Sequence, residues 1–162
     1  MDRRRFIQLG LGAGALVAVA GGVYQWARPE PGGAELVWRR VGDAVLDGVL
    51  PSDEAQRRAS LDRHMQRLST ALQSLSAPTQ AELGDLINIL LTAPGRLGLM
   101  GLASEWKDAS RADIGFGLNS LRTSGLVLKQ QAFHALRDLT NAAYFSDDAN
   151  WPVLAYPGPL EI

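Results

Sequence analysis

Few residues of this chain have the types and spacing that chemistry needs. Cysteine is absent, which excludes disulfide frameworks, thiolate nucleophiles, thiolate-held iron–sulfur clusters and an acylated lipoprotein cysteine. The two histidines, His64 and His134, stand about 70 residues apart. His64-Met65 offers imidazole beside thioether, a combination that ligates copper. The spacing of Met65, however, makes it a core residue of a helix and leaves His64 beside it at the surface. His134 falls one position off the core face of a later helix. Asp43 and Asp47 are one turn apart and can share a face, with no histidine or third acid nearby to complete a metal site. Arg57, Arg58, Arg63 and Arg67 make a basic run, but Asp53, Glu54 and Asp62 interleave it as on a solvated helix face. Gly95 to Gly101 is glycine-rich yet lacks the lysine and preceding strand of a phosphate loop. No G-x-S-x-G, H-E-x-x-H or dinucleotide pattern occurs. Signals for catalysis, or for a metal or cofactor held by this chain, are therefore weak.

The elements that would position such residues are helices. A length of 162 residues suits one domain, and 46% apolar with 20% charged residues is the composition of a globular one. Val37, Val41 and Val45 share a face of a first helix ending at Leu50-Pro51. Ser52 caps a second, with Asp53 and Glu54 in its first turn. Leu61, Met65, Leu68, Leu72 and Leu75 form its apolar stripe, opposite Arg57, Arg58, Arg63, Gln66, Arg67 and Gln73. Pro78 opens a third helix carrying Leu83, Leu86, Ile87, Leu90 and Leu91, and Pro94-Gly95 ends it. Residues 95–103 read as an irregular packed segment. Ser110 and Asp113 start a fourth helix with Ile114, Leu118 and Leu121, and Gly125 breaks it. The fifth runs from about Leu126 to Tyr144 with Leu128, Ala132, Leu136, Leu139 and Ala143 on one face. Strand signals are absent. The expectation is an all-α, compact bundle of about five helices in residues 34–162, with an extended proline- and aromatic-rich C-terminal tail.

Residues 1–33 are a signal and linker. Asp2-Arg3-Arg4-Arg5-Phe6-Ile7-Gln8 resembles a twin-arginine export signal: Arg3 and Arg4 are the pair, Phe6 the aromatic and Ile7 the aliphatic position. Asp2 stands where serine or threonine is common, and Gln8 where lysine is. Leu9 to Val23 is an apolar signal helix diluted by five glycines, which lower its hydrophobicity. Ala18-Val19-Ala20 is an A-x-A cleavage site. Without cleavage, the roughly 22 uncharged residues from Phe6 to Ala27 are long enough to anchor in a membrane, with Arg3, Arg4 and Arg5 held on the cytoplasmic side. Either way the body of the chain is expected in the periplasm or on the periplasmic face of the inner membrane. The formal charge of −1 becomes −3 once residues 1–20 are removed, so no basic footprint for nucleic acid is present. Arg28-Pro29-Glu30-Pro31-Gly32-Gly33 separates the signal from the domain.

From Phe145 to Ile162 aromatics sit beside prolines, a stiff segment that loses little entropy on docking. Its features are Ala142-Ala143-Tyr144-Phe145, then Trp151, then Ala155-Tyr156-Pro157-Gly158-Pro159. With Trp106-Lys107, Leu121-Arg122-Thr123-Ser124 and Gln131-Ala132-Phe133 upstream, the chain resembles the small subunit of bacterial membrane-associated, flavin-dependent sugar, polyol and gluconate dehydrogenases, the gluconate 2-dehydrogenase subunit 3 family. Ala155 replaces a glycine frequent there. The resemblance covers about residues 104–159. It implies a non-catalytic, chaperone-like subunit that carries the signal for a FAD-dependent (GMC-type) catalytic subunit, with the twin-arginine translocase as a further partner and a cytochrome c subunit as a candidate third member. FAD would sit in the partner. Tyr144, Phe145, Trp151, Tyr156, Pro157, Gly158 and Pro159 would be partner-binding. The alternatives are a free-standing periplasmic helical enzyme or metal-binding protein, which needs convergent polar groups in a pocket, and a membrane-tethered adaptor. The accessory subunit needs an exposed apolar face, for which Leu97 to Leu102 and the tail supply material.

Overall fold

The computed structural model describes residues 32–156 and Gly158. Among them lie six α-helices, one 3-10 helix and no strand. The helices are α1 (Gly33–Val45), α2 (Glu54–Ser74), α3 (Ala77–Leu91), α4 (Ala93–Met100), α5 (Arg111–Arg122) and α6 (Val127–Phe145), followed by the 3-10 helix Asp148–Leu154. Helix α1 runs through the middle, against α2, α3, α5 and α6, and α6 closes on α2 and α5. Among the described residues no helix is long and apolar enough to cross a membrane.

The apolar stripes meet in one principal core. Val37, Trp38 and Val41 of α1 pack with Leu68 of α2, Leu86 and Leu90 of α3, Ile114, Leu118 and Leu121 of α5, and Leu136 of α6. Trp106, between α4 and α5, is buried as well, and its Nε1 donates to Leu90 O at 2.8 Å. That bond satisfies a carbonyl in the last turn of α3. A second, smaller cluster holds Leu46, Leu50, Leu61 and Tyr144, with Val49 and Phe145 against it.

Several expectations are corrected. The helices exceed the expected five because residues 95–103 are not irregular: most of them belong to α4. Thr92 makes the junction. Its hydroxyl donates to Ile89 O at the end of α3 and accepts from Gly95 N–H, at 2.8 and 3.0 Å, capping the new helix. Pro94 therefore opens α4 rather than only ending α3. Gly95 permits the tight junction, since a Cβ there would lie 2.1 Å from Ile89 O. Gly101, at φ 69°, is the left-handed stop. The first helix ends at Val45, and a turn with Gly48 at φ 82° carries the chain to Leu50. The cap of α2 is Asp53, which accepts from Gln56 N–H at 2.9 Å, and not Ser52. Ser110 and Asp113 form a complete capping box on α5, and the two Ser110 bonds hold the Asp113 carboxyl below its ordinary range. The tail is not extended from the end of α6, because Asp148–Leu154 coils into the 3-10 helix.

Candidate partner-docking surface

The C-terminal turn of a helix leaves its last four carbonyls without intrahelical donors. In α6 these belong to Ala142, Ala143, Tyr144 and Phe145, and the residues that follow answer all four. Ser146 N–H donates to Ala142 O at 3.0 Å and Ser146 Oγ to Ala143 O at 2.9 Å. Asn150 Nδ2 donates to Tyr144 O at 2.6 Å, and Trp151 Nε1 to Phe145 O at 2.9 Å. The tail thus folds back onto the helix it leaves. Asp147 fixes the other side: one carboxylate oxygen accepts from Ala149 N–H at 3.1 Å, capping the 3-10 helix, and the other meets Arg67 of α2 at 2.6 Å.

This seat divides the tail aromatics by role. Tyr144 is buried in the smaller cluster, its ring 5.1 Å from that of Phe145 and perpendicular to it. Burial raises the Tyr144 phenol above its ordinary value. Trp151 is half-buried, with Tyr156 packed on it at 5.3 Å. Gly158, at φ 100°, passes close to the Trp151 ring. Outward face Val153 and Leu154, each 54% exposed, and Tyr156, 47% exposed. Val153 and Leu154 follow Trp151 by two and three residues and escape a search for aromatics; the seat shows them as outward residues. Arg3, Arg4, Phe6, Ile7, Ala18, Ala20, Pro157 and Pro159 lie outside the described residues.

The other expected apolar material is mostly core. Met100 and Leu102 are buried, and of that segment Leu97 is the large side chain left open, at 55% exposure. Lys129 Nζ, in the first turn of α6, donates to Gly98 O at 2.7 Å, and Leu126 and Val127 at the start of that helix are exposed. Phe116 on α5 is also exposed.

Polar convergence occurs elsewhere and is internally balanced. Arg57 is buried rather than solvated: its Nε meets Asp43 at 2.7 Å, and its Nη2 meets Asp43 O and Asp47 at 3.1 and 3.2 Å. Arg111 of α5 meets the same two carboxylates at 3.0 and 3.2 Å. The bond to Asp43 raises the Arg111 guanidinium further above its ordinary value. Two acids one turn apart are thus answered by two guanidiniums, and the four groups stitch α1, α2 and α5 together. No group of three or more potential metal ligands occurs among the described residues.

His64 also departs from expectation. It is 1% exposed, not at the surface, and neither ring nitrogen has a hydrogen-bond partner. Its ring lies against Gly42 of α1, where a Cβ would come within 3.1 Å of Nε2, and 6.1 Å from the Tyr144 ring. Burial, with the cations Arg39 and Arg67 nearby, lowers its pKa to about 4, so it is neutral at neutral pH. His134 is exposed, 4.0 Å from Asp138. No protein-family model, curated protein or solved structure matches the chain.

Proposed function

We propose that this chain is the non-catalytic small subunit of a periplasm-facing FAD-dependent dehydrogenase, assisting the folding of the catalytic subunit and carrying it through the twin-arginine pathway. The observation that carries the reading is the tail. Asn150 and Trp151 direct their side-chain donors to α6 carbonyls, and Val153, Leu154 and Tyr156 face out on that support. A preorganised apolar row of this kind loses little entropy on docking. The Trp151 and Tyr156-Pro157-Gly158-Pro159 sequence supports the identity of the partner through its resemblance to the gluconate 2-dehydrogenase small subunits. Arg3-Arg4 with Phe6-Ile7 supports the route. A flavoprotein loads its cofactor as it folds, and the twin-arginine pathway transports folded cargo, so one signal on a tightly bound companion suffices for both chains.

The test is purification of the full chain from its native host under mild conditions, followed by identification of its companions and a flavin absorption spectrum. A stoichiometric flavoprotein lacking its own export signal is the expected result. Recovery of the chain alone, or with companions that carry no flavin, would overturn the reading. Replacement of Arg3 and Arg4 by lysine is expected to leave both chains in the cytoplasm.

A further inference from the structure

Two depressions meet over Trp38 and Leu72. One, about 750 Å³, lies between α1 and α2 and has Met65 and Leu68 in its lining. The other, about 240 Å³, lies between α1, the end of α2 and α3, with Leu83 and Ile87 in its lining. Together they form a groove along the N-terminal half of α1, apolar in its floor. Glu35, Arg39 and Asp62 stand on its wall, joined by the ion pairs of Arg39 with both acids.

We propose that this groove is the docking site of the chain's own apolar stretch, Leu9–Val23, before export. The chain enters the fold at the groove's edge. Gly32, at φ 83°, turns it into α1, and Ala34 and Glu35, within the first three residues of that helix, already line the two depressions. Gly33 is pressed against Leu91 of α3, where a Cβ would lie 2.9 Å from a Leu91 methyl, so the entry point sits between α1 and α3. The reach is sufficient. The nine residues 24–32 span up to about 30 Å when extended, whereas α1 is only about 20 Å long. A helix of fifteen residues measures about 22 Å, against about 17 Å from Asp62 to Gln73 along the groove's α2 wall. The chemistry agrees: no charge occurs between Arg5 and Arg28, and the depressions offer the half-buried side chains of Met65, Leu72 and Leu83. The groove wall carries two acids against one base, which suits the arginines flanking the stretch. Docking removes apolar surface from water on both sides and holds the signal until the translocase or the membrane competes for it. This occupancy depends on the apolar stretch and the groove, not on the identity of the dehydrogenase partner.

The absence of native cysteine allows a direct test on the full chain. Leu16→Cys is paired in turn with Gln66→Cys or Gln73→Cys, exposed residues on the two depressions, and with Ser120→Cys on α5, which lines neither. Dilute, detergent-free protein is treated with a short thiol cross-linker. The expected result is intramolecular cross-linking at Gln66→Cys or Gln73→Cys about tenfold faster than at Ser120→Cys, as a locally raised effective concentration requires. Equal rates at all three positions would overturn the proposal. Cross-links formed only between chains would overturn it in favour of a second copy in the groove. Because the two groove reporters are on the surface, loss of the fold in one leaves the other to decide.

Discussion

The two hydrophobic clusters are built on different terms. The larger is an assembly of stripes: Leu68, Leu90, Leu121 and Leu136 are fully buried and come from four helices at helical spacing. The smaller one, around Leu46, Leu50, Leu61 and Tyr144, is made from a turn, one face of α2 and the end of α6. It borders a buried histidine with no hydrogen bond and a tail held by side chains on carbonyls. Periodicity suffices to hold a bundle together. A surface that must present particular residues in fixed positions calls for specific polar bonds as well, and those gather at the smaller cluster.

The largest expected effect lies in the larger cluster. Leu136→Ala should cost about 2–5 kcal/mol, because the methyls removed leave a cavity among close-packed neighbours. Urea unfolding followed by circular dichroism and by tryptophan fluorescence should shift together. A loss below about 1 kcal/mol would mean that this cluster is not the main source of stability.

Next comes pH, which acts on the smaller cluster. His64 has a pKa of about 4 in the fold and an ordinary value of 6.5. The unfolded chain therefore takes up the proton first as pH falls. Stability from the neutral ring is complete above pH 6.5, declines between 6.5 and 4, and is exhausted below. The loss is on the order of 3 kcal/mol. Arg39 of α1 and Arg67 of α2 oppose protonation, while Tyr144 of α6 offers a ring contact only. His64→Leu should flatten urea midpoints over that window, and an unchanged slope would contradict the burial of a neutral imidazole.

A smaller effect separates the clusters most sharply. Trp151→Phe keeps the ring but removes the donor to Phe145 O, leaving that carbonyl to water. The cost should be about 1 kcal/mol and local, appearing as faster amide exchange in residues 146–154 with little change in α1, α3 or α5. Exchange rising equally throughout would merge the two regions into one cooperative unit.

What the sequence reveals follows the same division. The stripes of α2, α3, α5 and α6 are legible because burial of leucines repeats every three to four residues. Arg57 and His64 are not, since a helical wheel assigns polar residues to solvent. Only the third dimension brings Asp43 and Asp47 to the first and Gly42 to the second. Helix α4 hides behind its glycines: Gly95 and Gly101 look like breakers, whereas one permits a close approach to Ile89 O and the other ends the helix. In the tail, Trp151 and Tyr156 are conspicuous as aromatics. That Trp151 turns inward and Val153 and Leu154 outward depends on bonds to α6 carbonyls that have no sequence period.

The central claim is that the outward row of the tail holds a flavoprotein partner. The most direct measurement replaces Val153 and Leu154 by aspartate and Tyr156 by serine in the full chain, leaving Trp151 and Asn150 to keep the seat. The flavin-loaded companion recovered with the chain from the periplasm is then quantified against the unaltered protein. With a tyrosine anchor worth about 2 kcal/mol or more in such interfaces and two charges placed in the apolar row, the variant should retain its helical spectrum and unfolding midpoint while companion recovery falls at least about tenfold. Undiminished recovery of the flavin-loaded companion with the folded variant would contradict the account.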